Sequence, residues 1–472
     1  MERIVIGDFQ HGYNSHDEPH GILETQASAI QNIDLSARGV SKTRGGTAYL
    51  NSTEIASGAG IFGAGYLKSK HWAAALTGVY ALATGTYTAF KTGLTANSEV
   101  FGTEFESYGF FANGVDAPFT YDGSSSAAMS GTPSYWTTYK PNMFLKHENR
   151  LWGLTCSTSQ LDWCDVETPT DWTTKDKAGT HQFNKNDGYT GIGIASQKSG
   201  LIYFKQKSIH KVTGKTPVSF SFPTLYDTIG CVAARTIVNY NNRIFFLSEH
   251  EGYYKVIILG DDGSITETNE DIQPTLSLIN TTTANKSAAV IYKDKYRLSY
   301  PLSAGGWGVV NLNFKTGRWE VDSGNAGKCY YVQGASCYAG GTGDGYVRQI
   351  ETGTSDAGSV AITSYVRSKR YQLLAPELHK ELKYMIVWTK ASGSYNLNVN
   401  IRVDGKLVPG TYAVPLGTKG TTETMRRATI PINAKVRGGL IDVQFGTSTV
   451  DQPFELYKAI LYYEMPKGFI KD

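Results

Sequence analysis

Five basic side chains crowd one short stretch, YFKQKSIHKVTGKT at 203–216: Lys205, Lys207, His210, Lys211 and Lys215. The stretch ends in Gly214-Lys215-Thr216. Two chemistries could use it, a phosphate-binding loop or a basic strip that grips nucleic acid. The phosphate loop fails on spacing, because its first glycine would fall at Ile209. It also needs a helix after Thr216, and Pro217 turns the residue before it away from the helical region. The run GGTGDG at 340–345 lacks the G-x-G-x-x-G register and reads as a tight turn. His11, His16 and His20 stand near Asp17 and Glu18, a set of metal-ligating types. Their spacing matches no helical pair, so a polar N-terminal arm is expected and a metal is not. Asp162, Asp165, Glu249 and Glu251 are the residue types that a glycosidase pairs. Nothing in their spacing brings two of them together.

The cysteines are Cys156, Cys164, Cys231, Cys329 and Cys337. They form no C-x-x-C pair, and the odd count is unlike a secreted disulfide framework. Buried, unreactive thiols in a chain made in a reducing cytoplasm are expected. The opening MERIVIGDFQ has no basic region followed by a long apolar run, and no stretch is apolar enough to span a membrane. No nucleophile elbow is recognisable. Neither catalysis nor a cofactor is expected.

The elements that carry these residues are short strands. Gly (51) punctuates turns and Tyr (30) favours half-buried strands, while charged residues are only 18 % of the chain. A loose unit of strand, polar turn, strand and Gly or Asp recurs from residues 74, 110, 150, 201, 243, 296 and 337. A repeat of roughly 40 to 50 residues is the spacing of four-stranded propeller blades. The expected fold is all-β, an irregular β-propeller of six to eight blades. The best helical pattern, LETQASAIQNI at 23–33, is short. Near residue 352 the run TGTSDAGS reads as a linker. Beyond it, KELKYMIVWTKA and FELYKAILYYEMP alternate with period two, as in a jelly-roll-like antiparallel β-sandwich. The expected domains are an N-terminal arm with first strands (1–50), a propeller (51–352) and the sandwich (353–472). Residues 360–472 carry 16 Lys and Arg against 9 Asp and Glu, a net of +7 on a chain whose total is +3. That asymmetry suggests a partner of opposite sign.

The stretches NRLWGLTCSTSQLDWCDVETPTDWT and GLIYFKQKSIHKVTGKTP, in this order, resemble the β-propeller proteins of bacteriophage tails. The opening IQNIDLSARGVSKTRGGTAYL and the closing DQPFELYKAILYYEMPKG are similar to the same family. Within it the chain is most like the tail nozzle or hub proteins of short-tailed phages, also described as packaged-DNA stabilisation proteins. The resemblance implies a virion protein that forms a hexameric ring below the portal and adaptor proteins. Such a ring conducts and retains packaged DNA, which it contacts transiently, and docks tail fibres or spikes. On that reading Arg426, Arg427, Lys435 and Arg437 are the expected subunit or adaptor interface. In the two-stranded run at 203–216, Lys205, Lys207 and Lys211 are expected on solvent and Tyr203, Ile209 and Val212 inside the blade; these lysines matter to function where their edge faces the channel. A conduit should hold DNA weakly, since each phosphate contact adds affinity. The alternatives are a carbohydrate-active propeller enzyme and a fibre or baseplate attachment protein.

Overall fold

The computed structural model describes residues 1–36, 39–184, 186–268, 270–418 and 425–465. Seven four-stranded antiparallel sheets follow one another along the chain. Blades 1 to 6 span residues 63–91, 101–128, 143–182, 191–226, 238–267 and 288–322. Blade 7 takes three strands from 329–350 and its outermost strand, Thr47–Tyr49, from near the N-terminus. The first strand of each blade is the innermost. Those of neighbouring blades pack side by side, and Cys329–Gln333 of blade 7 meets Gly63–Leu67 of blade 1, so the ring closes. The chain is an all-β propeller. Closure by an N-terminal strand ties the two ends of the ring together.

Aromatic side chains fill the wedges between blades. Phe110 of blade 2 meets Phe144 of blade 3, and Phe204 of blade 4 meets Phe246 of blade 5. Clusters that mix residues of adjacent blades run round the ring. The second strands are the most buried: every residue of Arg150–Thr155 and of Gly200–Lys205 is buried.

The remaining strands form two antiparallel sheets that share one core. One sheet orders Ile33–Leu35, Ser41–Thr43, Glu455–Glu464, His379–Lys390 and Met425–Arg437, with Glu2–Gly7 beside Glu455–Glu464. The other is built around Ala29–Gln31, Ser364–Arg367, Leu440–Thr447 and Asn396–Val403. Ile6, Met385 and Leu461 of the first face Val399, Val443 and Phe445 of the second across a common apolar layer. The alternation expected after residue 352 is therefore real, but the N-terminal strands complete both sheets. Residues 1–50 are not an arm, since four of their strands lie in this two-sheet body and the fifth closes the ring. The short helical pattern at 23–33 forms no helix. Turns and the short strands Ala29–Gln31 and Ile33–Leu35 occupy that segment, because pairing with Ser364–Arg367 outweighs its weak helical pattern.

Buried charge joins this body to the ring. Arg44, 1 % exposed, grips Asp356 with two hydrogen bonds of 2.9 and 2.7 Å and donates to Asn32 at 2.8 Å and to the Ser323 carbonyl at 2.5 Å. Lys295 of blade 6 sits between Asp34 of the body, at 2.7 Å, and Glu320 of blade 6, at 2.5 Å. Glu320 also accepts the Leu35 amide at 2.9 Å. Such bidentate and shared ion pairs fix orientation as well as proximity.

Candidate functional site: the axial cavity and its cationic mouth

The innermost strands of blades 2 to 7 line a cavity of about 320 Å³ between them. Phe101, Met143, Leu145, Val238 and Val290 line it, with Tyr330 on the blade 7 side. That volume lies in the range of small-ligand sites and is far too small for a DNA duplex.

One side chain reaches over this cavity at the end where the innermost strands begin. Arg235 precedes the first strand of blade 5 and reaches across the axis. Its Nη2 donates to the carbonyls of Phe62 (2.9 Å) and Val100 (2.7 Å), which lead into blades 1 and 2. Its guanidinium lies 4.2 Å from the centre of the Phe101 ring. Glu99 stands 3.9 Å from the Arg235 Nε and 3.1 Å from the Lys286 Nζ. Lys328 lies over the Phe62 ring at 4.3 Å. Three cations therefore meet one carboxylate at this mouth. Burial, with the positive charge of Lys286 nearby, lowers the Lys328 ammonium below its ordinary range. The arrangement is a positively charged rim beside a cavity of mixed polar and apolar lining, of which Arg235 is itself a part.

The lysines of 203–216 are elsewhere. Tyr203, Ile209 and Val212 pack inside blade 4. Lys205 and Lys211 lie on its second and third strands, and Lys207 in the turn between them, so none is on the strand that lines the axis. Lys205 is not on the surface at all. It is fully buried, and its Nζ donates to both carboxylate oxygens of Asp187 at 2.6 Å and to the Asn184 carbonyl at 3.0 Å. Lys207 pairs with Glu249, and Lys211 donates to Ser199 Oγ at 2.7 Å. Burial, then the charge of Lys205, push the His210 imidazole down to about 4. The Gly-Lys-Thr ending is a hairpin turn: Gly214 has φ of 97°, and Ser219 Oγ accepts the amides of Lys215 and Thr216.

Arg426, Arg427, Lys435 and Arg437 share one strand, Met425–Arg437, at the edge of its sheet, and all four are exposed. His11 bonds Thr25 at 2.7 Å and His16 bonds Asp17 at 3.3 Å. The surrounding segment is packed rather than free: Tyr13 donates its amide to the Trp319 carbonyl, and Ser15 bonds Asp271 and Thr275. Among the described residues no group of three or more His, Cys, Asp or Glu could hold a metal ion. Four of the five cysteines are buried, and Cys156 is half-buried; burial raises every one of these thiols, Cys329 to about 11 and Cys231 to about 12. The carboxylates weighed for glycoside chemistry are split between two blades. In blade 3, Asp162 accepts from Tyr135 and Trp136, and Asp165 pairs with Lys177. In blade 5, Glu249 pairs with Lys207 and Glu251 with Lys255.

Sequence reading missed Glu99, Arg235, Lys286 and Lys328. A positional signal exists: each stands one to three residues before the first strand of a blade. It becomes visible only when those first strands are known.

No family model matches the chain, and no curated protein matches it. Similar solved structures include a streptogramin B lyase, 12 % identical with a TM-score of 0.46, covering 64 % of this chain and 96 % of that one. YCF48 bound to D1 peptide is 9 % identical, with a TM-score of 0.43 over 69 % of this chain and 98 % of that one. An exo-β-1,3-galactanase from Phanerochaete chrysosporium is 11 % identical, with a TM-score of 0.31 over 82 % and 99 %. The expectation that the chain is not an enzyme is corrected on this finding. The solved structures similar to it include a lyase and a galactanase, both enzymes. At these scores the likeness carries no activity over to this chain.

Proposed function

We propose that this chain is a ring-forming subunit of a phage tail, the nozzle or hub below the portal and adaptor, which conducts and retains packaged DNA and docks fibres or spikes. The observation that carries this reading is the strand Met425–Arg437. It is 13 residues long, lies at a sheet edge, and presents Arg426, Arg427, Lys435 and Arg437 outward. A long edge is a template for pairing with another chain, and its charges select which chain. The buried ion pairs at Arg44 and Lys295 hold that edge in a fixed direction relative to the propeller, as a ring of repeated subunits requires. The small axial cavity supports a DNA path between copies rather than through one propeller.

Electron microscopy of the chain mixed with a portal–adaptor complex tests the proposal. A sixfold ring at the tail end of the complex is expected. A chain that remains unassociated under conditions where the portal and adaptor join would overturn it. Among the described residues no helix is long and apolar enough to cross a membrane.

A further inference from the structure

We propose that the axial cavity is a binding site for a small organic anion, a phosphate or carboxylate head on a flat apolar body. Three observations converge on it. First, Arg235, Lys286 and Lys328 surround a single carboxylate, Glu99, so two positive charges are in excess at the mouth. Lys328 has no hydrogen-bond or ion-pair partner among the described residues and rests on the Phe62 ring.

Second, the Arg235 Nε is buried and has no hydrogen-bond partner, and Glu99 is too distant from it, at 3.9 Å, to serve as one. That nitrogen faces Glu99, and the Arg235 side chain is itself part of the cavity lining. The Nη2 of the same group is anchored on the Phe62 and Val100 carbonyls, which holds the planar donor set in place for a phosphate or carboxylate.

Third, the space below the mouth is about 320 Å³ and offers an apolar wall of Phe101, Met143, Leu145, Val238 and Val290, beside Thr103, Arg235 and Tyr330. That suits one aromatic or short aliphatic group, with Phe101 forming part of the wall under Arg235. A bare inorganic anion would leave this wall unused. A ligand without charge would leave the rim unpaired.

Calorimetric titration of the intact chain tests the site with three probes: phenyl phosphate, benzoate and inorganic phosphate. Phenyl phosphate or benzoate should bind at one site per chain, and the tighter of the two assigns the head as phosphate or carboxylate. Inorganic phosphate should bind at least about tenfold more weakly, because it cannot use the apolar wall. Lys286→Met and Lys328→Met should each weaken the better probe by about tenfold, the loss of one charge-assisted hydrogen bond. Lys286 is half exposed, so its variant serves even where Lys328→Met does not fold. The proposal is overturned if neither organic anion binds saturably, or if binding survives Lys286→Met unchanged.

Discussion

A lysine in a basic run is ordinarily a surface charge, and Lys205 is the opposite. It sits on the second strand of blade 4, where both faces of the sheet are covered, and so must carry its counter-ion with it. Asp187 supplies it. Burial raises that carboxyl, but the hydrogen bond and charge of Lys205 outweigh burial and hold it below the usual range. Asp187→Asn should therefore destabilise the fold by about 2 to 4 kcal/mol, measured by urea unfolding. The lower part of the cost for breaking a buried pair applies, since Asp187 is 27 % exposed and water can reach it. An unchanged midpoint would show that Lys205 finds other acceptors. The burial of Tyr203, Ile209 and Val212 was legible in the sequence because large apolar side chains on a blade strand pack inward. The fate of Lys205 was not, because its partner comes from a loop of the preceding blade.

At the scale of elements, the repeat read from the sequence begins on the second strand of every blade, from 74 in Lys70–Ala75 to 337 in Ser336–Gly340. Second strands are flanked on both sides and covered on both faces, so their apolar runs are the densest signal. The first strands, such as Val238–Tyr240, are short and half exposed to the axis, and their pattern is faint. The joint between the Ile33–Leu35 strand and blade 6 makes its own prediction. Burial and the nearby charge of Asp34 raise the Glu320 carboxyl to about 7, against the opposing pull of Lys295. One lysine shared by two acids neutralises only one of them. Because the folded value lies above the unfolded one, the stabilisation from protonated Glu320 is present below about 4.5 and is lost as pH rises through about 7. Melting temperatures of the native chain should fall relative to Glu320→Gln as pH rises from 5 to 7.5. Parallel curves would mean that Glu320 stays ionised throughout.

For the whole molecule, the basic character noted beyond residue 360 acquires a location. It includes an exposed sheet edge facing away from its own partner strand, His379–Lys390. Reversing Arg426, Arg427, Lys435 and Arg437 to Glu should abolish or strongly reduce assembly onto the adaptor, read by sedimentation. The melting temperature should barely move, because exposed charges contribute little to stability. Normal assembly of that variant would remove this edge from the interface.

The ring was already legible in the repeat. Repeated short strands with both faces apolar can satisfy burial only by stacking blade on blade, and the repeat length set their size. The period-two pattern beyond residue 352 recorded strands with one buried face, as in His379–Lys390 and Asn396–Val403. Only the tertiary structure decided what depends on contacts between distant segments. The N-terminal strands belong to the second body, Thr47–Tyr49 closes blade 7, and Arg235 reaches Phe62 and Val100 across the axis. Periodicity reports the face a residue turns inward, but it holds no information on which remote residue waits there.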